Sequence, residues 1–154
     1  REGDRRRLWE WANDPDARAV SFTPDLIPWD THVQWFESRL HDPRCLFYIG
    51  VDQDDTPVGQ IRFDRERREA VVSVSVDRGF RGRGYGTRLI ELASRRVLAA
   101  AATTIRAYVR PGNEASVRAF RRAGYCEAGV ATIRGQDALV LVCSRESIAA
   151  GVRL

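Results

Sequence analysis

The sequence predicts an α+β fold, a single domain with a mixed sheet flanked by helices, and three observations carry that prediction. Apolar residues recur at helical spacing in four segments and at strand spacing in six, in the order helix, helix, three strands, helix, strand, helix, two strands. One strand-like run, Ala70 to Val76, enters the stretch Asp77–Thr87, where Gly79, Gly82, Gly84 and Gly86 alternate with arginines before a helix opens. The chain has 154 residues, 44% hydrophobic and 30% charged, enough for one full core and read as one domain over residues 1–154.

Asp4 to Asn13 reads as a helix with Leu8, Trp9, Trp11 and Ala12 on its apolar face, and Asn13-Asp14-Pro15 ends it because a residue before proline leaves the α region. Ala17 to Pro28 reads as irregular. Asp30 or Thr31 is expected to cap a second helix, Gln34 completing a capping box from Thr31, with Val33, Trp35, Phe36 and Leu40 as its buried stripe. Cys45–Val51 reads as a strand covered on both faces. Val58–Asp64 is the return strand and Arg65–Glu69 a charged turn. Val71–Val76 alternates valine with serine, a half-buried strand with one small polar face. The next helix carries Leu89, Ile90, Leu92, Ala93, Val97 and Leu98. Thr103–Val109 is a strand, Asn113 or Glu114 begins a helix to Ala123 closed by Gly124, and Tyr125–Ile133 and Ala138–Cys143 are strands around Arg134–Asp137. Residues after Ser144 carry little pattern.

All 25 basic residues are arginine, and net charge is +4. The arginines are dispersed rather than gathered on one element with interleaved aromatics, which argues against a nucleic-acid protein. No apolar run approaches the roughly 18 residues of a membrane span, and no signal peptide is visible. Cys45, Cys126 and Cys143 lie in apolar, strand-like surroundings with no metal spacing and no motif tying them to His32 or His41. They read as reduced core thiols of a cytoplasmic protein, with no metal. The densest basic cluster is the glycine stretch itself. A strand, a glycine-arginine loop and a helix N-terminus together make an anion site, where backbone amides approach a phosphate and the helix dipole adds about half a positive charge.

Two motifs then resemble one family. Arg81-Gly82-Arg83-Gly84-Tyr85-Gly86 fits the pyrophosphate loop of the GNAT superfamily of acetyl-CoA-dependent N-acetyltransferases. Asn113-Glu114-Ala115-Ser116, followed by Phe120 and Ala123-Gly124-Tyr125, is similar to that family's second motif. The resemblance covers about residues 4 to 143. It implies a GNAT-like, mostly antiparallel sheet with a V-shaped gap between the family's fourth and fifth strands, here those ending at Val76 and Val109. The chain departs from the family in lacking its first strand before the first helix; the expectation is that this strand either lies upstream of Arg1, as in a domain excised from a longer protein, or has been trimmed away.

The resemblance further implies acetyl-CoA as co-substrate. The pantetheine arm would pair with the backbone of Val74, Ser75 and Val76, and the diphosphate would sit on the amides of Arg81, Gly82, Arg83, Gly84, Tyr85, Gly86 and Thr87. Asn113, Ser116 and Phe120 complete the implied cofactor set. The Val74 amide would polarise the thioester carbonyl. Phe120 stands seven residues after Asn113, where many members carry a proton-donating tyrosine. The base position of histone-type members falls at Ala70, with Glu69 expected on the other face, and the glutamate of protein N-terminal acetyltransferases is replaced by Tyr108. Tyr108, or a water held by Ser73 or Ser75, is therefore the expected proton carrier. Trp11–Pro15, Ser21-Phe22, Trp29 and Gly59–Asp64 look most like the branch acetylating nucleotide-linked amino sugars of the pseudaminic-acid type. Gln60 and Arg62 would hold a sugar hydroxyl and a phosphate, and Phe22 or Trp29 would stack on a ring. The alternatives are a protein N-terminal or small-amine acetyltransferase, and a non-catalytic acyl-CoA-binding module. A homodimer through edge strands is compatible with the resemblance.

Overall fold

The computed structural model describes residues 2–149. Asn13-Asp14-Pro15 ends one helix and starts another. After a 3₁₀ turn at Glu2–Asp4, α1 runs Arg5–Ala12 and buries Leu8 and Trp11. The Asp14 carboxylate then caps α2, Pro15–Ala19, accepting the amides of Asp16 and Ala17, with Pro15 at the first helical position, where its missing N–H costs nothing. The segment expected to be irregular therefore opens on a helical turn. α3 spans Trp29–Leu40, one turn earlier than the capping box at Thr31 predicts. Pro28 takes the cap position, its carbonyl accepting the His32 amide at 3.0 Å, so Thr31 falls inside the first turn.

β1 (Cys45–Val51), β2 (Pro57–Glu66) and β3 (Glu69–Val76) form an antiparallel meander. The charged turn expected over Arg65–Glu69 shrinks to Arg67-Arg68, with Arg67 at φ 56°, because backbone pairing continues to Glu66–Glu69 whatever the side-chain charge. A 3₁₀ turn at Arg78–Phe80 leads to α4, Tyr85–Ala100. β4 (Thr104–Val109), α5 (Glu114–Arg122), β5 (Cys126–Ile133), β6 (Gln136–Ser144) and α6 (Arg145–Ala149) complete the chain. The β5–β6 turn is only Arg134-Gly135, both at positive φ (49° and 75°), as a two-residue hairpin of that hand needs. Helix α6 lies where the sequence shows little pattern, and residues 150–154 fall outside the described chain.

The six-stranded sheet has the order β1-β2-β3-β4-β6-β5, with β3 and β4 parallel and every other pair antiparallel. On its back face α4 and α5 cover Ile61, Phe63, Val72, Ile105, Ala107 and Leu141, the main core. On its front face α1 and α3 bury Leu8, Trp11 and Phe36 against Phe47 and Ile49. β1 is an edge strand, packed on both faces but fully buried on neither. Cys126 corrects the expectation of three core thiols: it is exposed, because β5 forms the other edge of the sheet. Cys143 is buried, and burial pushes the half-buried Cys45 thiol up to about 11. No described helix is long and apolar enough to cross a membrane.

Candidate functional site

The register of β3 decides what the middle of the sheet presents. Asp77 sits opposite Val58 and donates its amide to the Val58 carbonyl at 2.8 Å. Hydrogen-bonded pairs alternate along an antiparallel ladder, so Ser75 and Ser73 also spend their backbone groups on β2. The amides and carbonyls of Val74 and Val76 are consequently turned toward β4. Pairing with β4, however, runs only through Glu69–Thr104, Ala70–Ile105 and Val71–Arg106. Beyond Val71 the two strands separate, and β4 is bound on its other edge by β6 as far as Val109. A strand edge carrying the Val74 amide thus faces a gap. Of the three residues expected to pair with an extended ligand, Val74 offers its amide and carbonyl and Val76 its amide, the Val76 carbonyl being taken by Arg81; Ser75 offers neither, since its amide and carbonyl belong to β2.

Asp77 organises the junction between this edge and the glycine loop. Its carboxylate accepts the Trp11 indole N–H at 2.7 Å and the Gly79 amide at 2.8 Å, tying α1 to the loop. Gly82 and Gly84 take positive φ, 74° and 84°, which a side chain would strain, and a Cβ at either meets no heavy atom within 4 Å. Gly84 is the N-cap of α4 and provides no side-chain cap, and the first turn of α4 holds no acidic residue. No amide from Gly82 to Thr87 finds a hydrogen-bond acceptor among the described residues. Such a helix start, open to solvent and uncapped, favours an anion.

The loop arginines are not equivalent. Arg81 donates Nε to the Val76 carbonyl (3.0 Å) and its guanidinium to Asp14 (3.0 Å) and Asp16 (3.4 Å), and Arg78 pairs with Asp16 at 3.4 Å. Burial pushes the Asp14 carboxyl up, but the Ala17 amide and the Arg81 guanidinium outweigh it and hold the carboxyl below its usual range. Arg83 lies over the Phe80 ring at 5.6 Å and has no carboxylate partner among the described residues. Its charge is the loop's available one.

On the front face, Gln60 and Arg62 of β2 stand beside Ser75 and Ser73 of β3. Gln60 Nε2 donates to Ser75 Oγ at 3.0 Å, while Gln60 Oε1 is buried without a partner. Arg62 lies 4.9 Å from the Trp35 ring centre, pairs with Asp64 at 2.9 Å and reaches Ser73 Oγ at 3.5 Å. Tyr108 shares this face across the gap, half-buried. Asn113 caps α5 by accepting the Ser116 amide at 3.3 Å. Phe120 is 2% exposed, edge-on to Tyr125, whose buried hydroxyl bonds Ser94 at 2.8 Å. Among the described residues no cluster of His, Cys, Asp or Glu is placed to hold a metal.

Residues 13–27 form a strap across the mouth of the gap. Asn13 closes it, donating to the Ile27 carbonyl at 2.9 Å and accepting the Ile27 amide at 2.7 Å. Asp14 and Asp16 pin it beside β3 through Arg81, while Arg110 pins it beside β4, donating to the carbonyls of Ala19 (3.0 Å) and Ser21 (3.2 Å). Gln136 of β6 holds the Phe22 carbonyl at 3.1 Å. Trp29 does not belong to this strap: it opens α3, edge-on to Trp9 at 5.4 Å and 39% exposed. The sequence reading missed Asp14 and Arg110. Asp-Pro is an N-cap signature, and an arginine closing the strand next to the motif asparagine marks the far wall of the gap. A concavity of about 290 Å³ lies elsewhere, between α5 and β6 by Pro111, Arg118 and Leu139.

Residues 5–125 match the acetyltransferase (GNAT) family. Among solved structures, the aminoglycoside acetyltransferase AAC(6')-Ib in complex with coenzyme A has a TM-score of 0.82 at 19% identity, covering 97% of this chain and 94% of that one. Spermidine N-acetyltransferase from Vibrio cholerae, in complex with CoA and spermine, gives 0.85 at 18%, with the same shares covered. At these identities the likeness speaks for the fold. Among curated protein sequences none matches. The family match spans both motif junctions and the gap between them, and the chain belongs to the acetyltransferase (GNAT) family of acyl-transferring enzymes.

Proposed function

We propose that this chain is an N-acetyltransferase that takes acetyl from acetyl-CoA and gives it to a primary amine by direct attack in a ternary complex. The observation that carries the reading is the Val74 amide, turned into an unpaired gap on the same strand that runs into the uncapped glycine loop. When bound, acetyl-CoA supplies the acetyl group as an activated thioester. The residues present fit it: free amides from Gly82 to Thr87 and the unpaired Arg83 suit a diphosphate, and the free edge at Val74 with the Val76 amide suits an extended, amide-bearing arm, the Val76 carbonyl being held by Arg81. Asn113 and Ser116 border the far side at the start of α5. The Val74 N–H polarises the carbonyl, an interaction worth about 3 kcal/mol in comparable sites, and holding a neutral amine beside it supplies effective concentration. The amine proton is handled by Tyr108, whose phenol passes its own proton to the departing thiolate as it takes up that of the amine, or by a water held by Ser73 or Ser75; Phe120 has no proton to give.

The acceptor favoured is a nucleotide-linked amino sugar. Gln60 and Arg62 share one face near the gap, as a sugar hydroxyl and a phosphate require, and Phe22 is held over the β6 side. The structural neighbours in complex with spermine, kanamycin or ribostamycin are consistent with a small amine acceptor in general. The test is thiol release from acetyl-CoA across an amine panel that includes UDP-linked 4-amino sugars. Acceptor-dependent release is expected. Slow hydrolysis without acceptor dependence would favour a non-catalytic acyl-CoA-binding module. Arg83→Glu is expected to weaken acetyl-CoA binding about tenfold or more, through loss of a charge-assisted contact and like-charge repulsion. Unchanged affinity would remove the phosphate-loop assignment.

A further inference from the structure

The charges on the front face narrow the acceptor beyond the N-acetyltransferase reading, on which this step rests. The side chains bordering the gap there are Gln60 and Arg62 of β2, Ser73 and Ser75 of β3, Tyr108 of β4 and Arg110 just beyond it. None of these is a carboxylate or an imidazole; the carboxylate of Asp77, at the loop end of the same β3 face, is spent on the Trp11 indole N–H and the Gly79 amide. One rung on, Asp64 is shared between Arg62 at 2.9 Å and Arg39 at 3.2 Å, leaving that trio with one net positive charge. Arg110 spends its guanidinium on two carbonyls and has no carboxylate partner among the described residues. On the strap, Asp14 and Asp16 are neutralised by Arg81 and Arg78, and at the closed end of the gap Glu69 is neutralised by Arg106. Asp25 and Asp30, on the outer strap and the first turn of α3, are solvent-exposed.

We infer that the acceptor is a weakly basic primary amine carrying an anionic group, phosphate or carboxylate, which Arg62 receives, and that polycationic amines are rejected. Arg62 is built for this. Its guanidinium is stacked on Trp35 and fixed by Asp64, so little freedom is lost when it forks onto an oxyanion. It stands on the strand next to the gap edge, one spacing of about 4.8 Å away. The same field disfavours an ammonium in the gap. A lysine-like amine of pKa about 10.4 is neutral in about one molecule per thousand near pH 7.4, and with no uncommitted carboxylate or imidazole to strip its proton it has no route in. An α-amino-like amine, of pKa about 8, arrives substantially neutral.

The experiment compares kcat/KM for matched pairs of weakly basic amines, glucosamine 6-phosphate against glucosamine and glycylglycine against glycylglycinamide, with spermine and kanamycin as polycations. The anionic member of each pair is expected to win by about tenfold or more, the size of a charge-assisted contact. R62Q should collapse that ratio toward one with the KM for acetyl-CoA unchanged, and R62K should restore much of it. Should R62Q fail to fold, the wild-type ratio must still narrow as sodium chloride rises from about 0.05 to about 0.5 M. If no amine turns over, the N-acetyltransferase reading falls, and thermal shifts of the CoA-saturated protein read the inference alone: glucosamine 6-phosphate should raise Tm and spermine should not. Spermine or kanamycin as the best acceptor, a larger shift with spermine, no shift with glucosamine 6-phosphate, or an anion preference that survives R62Q would each overturn it.

Discussion

Single residues in the loop make opposite predictions although the sequence writes them alike. Gly84 holds φ 84° at the start of α4, and an L side chain there costs about 1–2 kcal/mol of backbone strain. Gly86 lies inside the helix at ordinary φ, its would-be Cβ 3.4 Å from Val76 Cγ2, so alanine there trades backbone entropy for helix propensity. Gly84→Ala should therefore lower Tm and raise the KM for acetyl-CoA, whereas Gly86→Ala should leave Tm level or raise it by the equivalent of about 0.5–1 kcal/mol. Thermal melts on the two variants decide the point, and equal losses would mean that Gly84 is not conformationally required. Tyr108 is the second residue to test. If its phenol carries the amine proton, Tyr108→Phe loses about a hundredfold in kcat and one limb of the pH profile. An unchanged profile assigns the proton to water at Ser73 and Ser75. Glycine density marked the loop in the sequence, and strand position put Tyr108 beside the gap. Whether an arginine faced the loop or turned away was not legible there. Arg81 and Arg83 are two positions apart in one motif, and what separates them is Asp14, 67 residues from Arg81 in sequence.

The elements that the sequence named correctly are those with a clean period. The valine-serine alternation of β3 and the apolar stripe of α4 survive intact, because burial on one face is a local property of the pattern. The strap had no period to read. Its shape comes from side chain to backbone bonds, Asn13 to Ile27, Arg110 to Ala19 and Ser21, Gln136 to Phe22, and each depends on where other elements end. α3 shows a consequence of packing that no period reveals. His32 is 2% exposed between Trp29, Trp35 and Phe36, and its Nε2 donates to the Arg5 carbonyl of α1 at 2.9 Å. Burial holds its pKa below the usual histidine value, against a smaller upward pull from that hydrogen bond. A depressed folded pKa means that the unfolded chain binds the proton first as pH falls. Stability is thus fully present above the unfolded value of about 6.5 and declines as pH drops below it, by at most about 1.4 kcal/mol per pH unit. Denaturant melts between pH 7.5 and about 5 should show this slope, and His32→Phe should flatten it. A slope that persists in His32→Phe would place the titration elsewhere.

At the scale of the whole molecule, the sheet is two ribbons, β1-β2-β3 and β4-β6-β5, joined by a short parallel contact at one end and open at the other. The back-face core bridges them through α4 and α5, so the gap is held from behind by packing. At the front it is spanned, among the described residues, by the strap, pinned beside β3 by Asp14 with Arg81 and beside β4 by Arg110. Both pins hold one loop, so their losses should not add. Asp14→Asn removes the charge but keeps an amide that caps α2 nearly as well, which isolates the Arg81 contact from the helix. Arg110→Gln shortens the other pin. Each variant alone should raise the acceptor KM severalfold with Tm lowered by no more than the equivalent of about 1 kcal/mol, because neither a partly exposed ion pair nor a solvent-accessible hydrogen bond to a loop carbonyl is worth much to global stability. The double variant should then exceed either single by much less than their product, since a strap freed at one end has already lost most of its order. Hydrogen exchange supplies the independent reading: protection of the strap amides should fall in both singles, while that of β3 and α4 holds. Fully multiplicative KM effects, or protection lost in α4 as well, would mean that the two arginines support separate structures and that the strap is not one mechanical unit.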